Sequence, residues 1–162
     1  MIDVSLIDKK LLVPEDRDTR YDNSVFVHIK AMAAKQKGKY YELMTENILQ
    51  KMEFSVEKPK STDYDRIVNG QRSEIKGSCL MKNTDKFTFL QIRPNQDYDQ
   101  LIFSMFYPNG VYLMVMDKKT IQKNVDNGTF KKQHGGKKGD GLTYLYYGNE
   151  VTLKEIGAKV LV

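Results

Sequence analysis

Two patterns alternate along the chain, and each selects a kind of element. Tyr41, Met44, Ile48, Leu49 and Met52 recur at i, i+3, i+7, i+8 and i+11, one apolar stripe that predicts a helix over about 39–52. Glu42 falls at the edge of that stripe, where a carboxylate looks into a cleft or bonds a neighbouring lysine, and Glu46 points further out. An earlier helical pattern starts at Asn23 or Ser24 and passes through Val25, Val27, His28, Ala31 and Ala34. It reaches Gly38, which is expected to end it or to mark close backbone packing.

Beyond Phe54-Ser55-Val56 the period shortens to that of strands. Asn69-Gly70 sits between Tyr64–Val68 and Gln71–Lys76, and both turn residues tolerate positive φ, so a tight hairpin is expected. Further strands are predicted at 87–92, 101–107 and 111–116, the last two joined by Pro108-Asn109-Gly110. A short helix over 117–125, a Gly- and Lys-rich loop over 128–141 and an aromatic strand at 143–147 complete the chain. Helices mixed with a central sheet define an α/β or α+β protein.

Composition narrows the class. The chain has 162 residues, 40% hydrophobic and 29% charged, as expected for one globular domain rather than a fibrous, disordered or membrane chain. No apolar run approaches the roughly 20 residues that cross a bilayer. Met1-Ile2-Asp3-Val4 carries an early acid and no signal-like regions, so a cytoplasmic protein is expected. The single cysteine, Cys79, excludes an intrachain disulfide and a cysteine-rich zinc site, and is expected as a small buried hydrophobe. His28 and His134 stand far apart and offer no zinc pair.

The net charge of +5 is unevenly placed. Between Asp117 and Asp140 there are seven lysines and three acids, a local balance of +4. Such a stretch is the electrostatic footprint of a polyanion partner, nucleic acid first, the alternative being a solvated lysine-rich loop.

The hairpin carries the chemistry. With Asn69-Gly70 at the turn, Val68 faces Gln71, Ile67 faces Arg72, Asp65 faces Glu74 and Asp63 faces Lys76. Asp63, Asp65, Glu74, Lys76 and Ser78 then share a face. Opposed like charges destabilise a hairpin unless something positive lies between them. Lys76 is one candidate and a hard divalent cation the other, and two carboxylates with water and a substrate phosphate describe a magnesium site. A lysine beside it suits phosphodiester hydrolysis. The alternative is an ordinary solvent-facing hairpin with one Glu–Lys pair. The spacing Asp65-x8-Glu74-x-Lys76 alone is expected about once by chance in so charged a chain, and the turn-centred register is what gives it weight.

Over about Lys37 to Asp117 the sequence resembles the PD-(D/E)XK nuclease superfamily, on Lys37-Gly38-Lys39-Tyr40-Tyr41-Glu42, Asp65 and Glu74-Ile75-Lys76. The opening is similar to the helix start of archaeal Holliday-junction resolvases and several restriction enzymes, where an active-site Glu follows a Gly by four residues. Tyr64 stands where the motif name has Pro, and Asp63 rivals Asp65 as first metal ligand. The resemblance implies a restriction-endonuclease-like α/β core, a central mixed β-sheet flanked by helices. It implies catalysis by Glu42, Asp65, Glu74 and Lys76, with Mg²⁺ held by Asp65, Glu74 and the carbonyl of Ile75.

The expected protein is a Mg²⁺-dependent type II restriction endonuclease acting as a homodimer on double-stranded DNA, with no membrane partner. Its core would span about 23–117 and its basic DNA-contacting part about 118–162, within one domain. Gln91 and Arg93 are expected to alternate to one side of a strand and contact phosphates or bases, with Ser78 beside the hairpin. Lys131, Lys132, Gln133, His134, Lys137 and Lys138 supply charge and base-reaching side chains in the late loop. The competing readings are a junction resolvase or repair nuclease with the same site, and a non-catalytic DNA-binding module.

Overall fold

The computed structural model describes residues 18–133 and 143–161, without the side chains of 34 and 35. In chain order the elements are a 3-10 turn at Thr19–Tyr21, α1 (Val27–Ala31), α2 (Ala34–Lys51), β1 (Val56–Glu57), β2 (Arg66–Val68), β3 (Gln71–Cys79), β4 (Phe87–Ile92), β5 (Gln100–Tyr107), β6 (Gly110–Asp117), α3 (Lys118–Asp126), β7 (Lys131–Lys132), β8 (Tyr144–Gly148), α4 (Glu150–Glu155) and β9 (Lys159–Val160). The result is a mixed α/β architecture. A six-stranded sheet has the order β1-β2-β3-β5-β6-β9, and a smaller one the order β4-β8-β7. Only β3 and β5 of the large sheet run parallel; its other pairs are antiparallel.

Alternation along the central strands assigns the two faces. Ile75, Ile102 and Leu113 pack with Leu49 of α2, Tyr41 stacks on Phe106 at 5.0 Å, and Thr45 Oγ shares a 2.7 Å hydrogen bond with Ser104. On the other face Phe103 meets the edge of Phe89, within the cluster that also buries Met114, Met116, Ile121 and Leu153. Helix α2 therefore covers one face, and the small sheet with α3 and α4 covers the other. Gly77 lets α2 approach β3, because a Cβ there would lie 2.3 Å from Tyr41 Cβ.

The strands expected at 87–92, 101–107, 111–116 and 143–147 all form, with ends shifted by a residue or so. Asp117 caps α3, accepting the Thr120 N–H at 2.8 Å. Asn69 and Gly70, with φ of 48° and 79°, form the two-residue turn expected of them.

Two helical expectations are corrected. The first helix does not run to Gly38: it stops at Ala31, Met32 and Ala33 adopt extended ψ of 155° and 147°, and α2 starts at Ala34 and passes through Gly38. Gly38 is neither a cap nor a point of close packing, since a Cβ there would meet nothing within 4 Å. The apolar stripe of α2 ends one turn early, because Met52 lies past the helix and is 48% exposed. Its place in the buried set goes to Thr45, whose hydroxyl also bonds the Tyr41 carbonyl. No helix among the described residues is long and apolar enough to cross a membrane.

Candidate active site

The hairpin register puts Val68 opposite Gln71, Ile67 opposite Arg72 and Arg66 opposite Ser73, and there the ladder stops. Asp65 is thus not a ladder partner of Glu74, nor Asp63 of Lys76. Instead the Asp65 N–H donates to the Ser73 carbonyl at 3.0 Å, and the Asp65 carboxylate accepts the Ile75 N–H at 2.7 Å. A carboxylate has taken the position that the next backbone carbonyl would occupy. The strand parts from its partner at this point, leaving β3 from Ile75 onward with an edge open towards Asp65.

The side chains nevertheless converge. Glu74 is 7% exposed, and Lys76 Nζ donates to its Oε1 at 2.5 Å. Burial pushes the Glu74 carboxyl up to about 7; Lys76 opposes that rise, and the neighbouring Asp65 adds to it. Glu42, on the first half of α2, is also raised, by burial and then by the Asp65 charge, with Lys39, Arg66 and Lys76 pulling the other way. Asp65 therefore lies in the field of both Glu42 and Glu74, and Lys76 acts on both carboxyls as well. Arg66 braces the arrangement, donating to Glu46 on α2 at 2.7 Å and to the Asp65 carbonyl at 2.5 Å. Glu46 is thereby a structural partner of the hairpin. Asp63 lies in the loop before β2, its N–H on the Ser61 hydroxyl.

The N–H and C=O of one strand residue point to the same edge. The Ile75 carbonyl accordingly faces the edge where its N–H meets Asp65. Among the described residues no three His, Cys, Asp or Glu side chains come close enough together to hold one metal ion, so a cation here would rest on the Asp65 and Glu74 carboxylates and that carbonyl. These are hard oxygen donors, and Mg²⁺ commonly takes one or two carboxylates and leaves the rest of its shell to water and phosphate. The Asp65 charge works against ionisation of the buried Glu74, and a cation between the two carboxyls would relieve that, so the residues fit the ion.

Glu42, Ile75 and Lys76 line a groove of about 640 Å³ that continues past Gly77, Ser78 and Cys79 to Gln91. Ser78 lies in it, but its hydroxyl is engaged inside the fold, donating to the Cys79 carbonyl at 2.9 Å and accepting the Thr88 N–H at 3.2 Å. Cys79 is buried as expected, with the Tyr41 hydroxyl 3.4 Å from its sulfur. His28 is exposed on α1.

The expected alternation of Gln91 and Arg93 does not occur. Gln91 sits at φ 55° in an irregularity of the β4–β8 ladder, and Arg93 lies just past the strand. That bulge brings the exposed Gln91 to the late basic segment: its N–H donates to Gln133 Oε1 at 2.8 Å. Tyr144 pairs with Ile92 on one side and Lys132 on the other, so Lys131, Lys132 and Gln133 share the small sheet's end with Gln91, which lines the groove. His134, Lys137 and Lys138 lie outside the described residues.

Two contributors escaped the sequence reading. Lys30 and Lys37 line the same groove, and only the basic character of the Lys37-Gly38 opening hinted at them. Beneath Glu74, the Lys118 ammonium stands 3.6 Å over the Tyr98 ring. Burial and then the Glu74 charge raise the Tyr98 phenol far above its usual range.

No family model and no curated protein matches the chain. Among solved structures it is similar to a bacterial homing endonuclease, 16% identical over 54% of this chain and 71% of the other, with a TM-score of 0.42. A likeness this loose says nothing about activity, and the chemistry rests on the side chains.

Proposed function

We propose that the protein is a Mg²⁺-dependent endonuclease that hydrolyses phosphodiester bonds of double-stranded DNA, of the type II restriction kind that cuts at a short specific sequence. The observation that carries this reading is the open edge of β3, where Asp65, a buried Glu74 at about 7 and Lys76 adjoin the Ile75 backbone. A buried carboxyl held near neutrality beside a second carboxylate costs stability, and such groups concentrate where chemistry is done.

In this reading Asp65, Glu74 and the Ile75 carbonyl hold the cation, which when bound supplies charge to the phosphate oxygens and makes a bound water more acidic. Asp65 is fixed in place by the Ile75 N–H, so its orientation is set before substrate arrives. Lys76, with its side chain 18% exposed, donates a hydrogen bond to the attacking water or to a phosphate oxygen. Its partner Glu74 keeps the ammonium aimed at the edge. Water oxygen bonds to phosphorus and releases a proton to solvent, the bond to the leaving sugar oxygen breaks, and the leaving oxygen takes up a proton from solvent. Glu42, which lines the groove and feels the Asp65 charge, orients water beside the same centre.

Gln91, Arg93 and Gln133 are the candidates for base and phosphate contact, with Lys131 and Lys132 as countercharges. Cutting both strands at a symmetric site calls for two protomers. The test is digestion of a long DNA of known sequence. Discrete fragments ending at one short sequence, and lost in EDTA, are expected; intact DNA in every divalent metal would overturn the reading. Cleavage confined to four-way junctions would move the function to a resolvase.

A further inference from the structure

The groove beside the candidate active site has a wall that the catalytic reading does not use. Its lining includes three lysines, Lys30, Lys37 and Lys76, and one carboxylate, Glu42. Lys76 is matched by Glu74. Lys30 bonds the Leu80 carbonyl and stands 3.4 Å from Asp18. Lys37 is half-buried and has no carboxylate within ion-pair distance among the described residues. Burial, and the like charge of Lys30, hold its ammonium below the usual lysine range. A cation kept in a groove under those conditions awaits an anion.

The next residue makes an independent case. Gly38 lies in the first half of an 18-residue helix, where glycine is the poorest helix former after proline. No neighbour requires it, because a Cβ would meet nothing within 4 Å, and no positive φ requires it. It lines the groove. A glycine retained against helix propensity, with empty space in front of it, fits a backbone that a ligand must approach closely.

We propose that Lys37 and Gly38 form a phosphate seat for the substrate strand, Lys37 as countercharge and Gly38 as clearance, about two nucleotides from the bond that is cut. The spacing follows from the helix: Lys37 precedes Glu42 by five residues, about 7.5 Å along the axis at 1.5 Å per residue. Phosphates of one strand advance about 3.4 Å each along the duplex axis. The seat and Gln91 line the same groove, so the strand would run along α2 towards the small sheet. This inference rests on the nuclease reading for the identity of the polyanion, and Lys37 acts as a positioning residue, not a catalytic one.

The test measures binding, without turnover. A fluorescein-labelled mixed-sequence DNA duplex is titrated with the whole protein in EDTA over a series of salt concentrations, for wild type, Lys37→Gln, Gly38→Ala and Gly38→Leu, with the Tm of each. Lys37→Gln is expected to bind roughly three- to ten-fold more weakly, with the slope of log affinity against log salt smaller by about 0.9 and Tm not lowered. Gly38→Ala is expected to raise Tm by about 2 to 4 °C, and Gly38→Leu to weaken binding with no loss of Tm. Wild-type binding with an unchanged slope in Lys37→Gln would overturn the seat and leave the nuclease reading standing. Absence of duplex binding by the wild type at low salt would overturn both.

Discussion

Glu74 offers a prediction whose sign runs against the usual cost of altering a buried residue. Its carboxyl sits at about 7 in the fold against an ordinary 4.5, raised first by burial. The folded state therefore holds a proton that the unfolded chain releases, and the stability this confers is present below 4.5 and lost as pH rises through 7. A gap of about 2.5 at 1.36 kcal/mol each makes ionised Glu74 a liability of ~3 kcal/mol at pH 8. At pH 5 the same linkage leaves less than about 1 kcal/mol. Glu74→Gln keeps the shape and an acceptor for Lys76 while removing the charge. It is expected to raise Tm at pH 8 by about 6 to 12 °C for a chain of this size, with the gain shrinking to about a third or less at pH 5. Thermal unfolding followed by circular dichroism at both pH values, in EDTA, reads this directly. A Glu74→Gln protein less stable than wild type at pH 8, or a Tm difference independent of pH, would refute the reasoning. The same variant should lose cleavage, which separates a residue retained for chemistry from one retained for the fold.

Three further outcomes follow from other parts of the molecule. Gly77→Ala places a methyl 2.3 Å from Tyr41 Cβ and should cost about 1–3 kcal/mol, read as a lower urea midpoint with unchanged slope. Asp18 is held down to about 2, chiefly by its hydrogen bond from Arg20. Its contribution is present above about 4 and lost as pH falls towards 2, so Asp18→Asn should lower Tm at pH 7 and have little effect at pH 2. Lys131 and Lys132 are both exposed on β7. Replacing both by Ala should reduce the salt slope of DNA binding by up to about 1.8 while leaving Tm within a degree or two; an unchanged slope would remove the strand from the DNA-binding surface.

Where local chemistry decides, the sequence was informative. Asn69-Gly70 has one comfortable conformation, and it set the hairpin register as far as Arg66. The alternation in β4 and β8 reflects half-buried faces, and the near-continuous apolar runs of β5 and β6 a sheet covered on both sides, so all four could be read. The sequence also brought Asp65, Glu74 and Lys76 together correctly, although by the wrong means. A regular ladder was expected, and the Asp65 carboxylate instead replaces a backbone acceptor for Ile75. Nothing in a one-dimensional pattern announces that substitution. The break at Met32-Ala33 was hidden for a similar reason: it carries no proline or glycine, and Gly38 drew the boundary to itself. Gln91 reads as part of an alternating strand, but its positive φ lies in a bulge of the β4–β8 ladder that appears only once the two strands pair. The Lys30–Lys37 wall depends on how α1 and α2 fold over β3, a relation that only the assembled sheet defines.

The central claim is that Asp65, Glu74 and Lys76 form a cation-dependent hydrolytic centre. The most direct test is conversion of supercoiled plasmid to nicked or linear DNA by wild type and by Glu74→Gln, each in Mg²⁺ and in EDTA. Conversion by the wild type in Mg²⁺ alone, with Glu74→Gln inactive although folded and more stable at pH 8, is the expected result. Equal conversion by both proteins, or conversion that survives EDTA, would contradict the account.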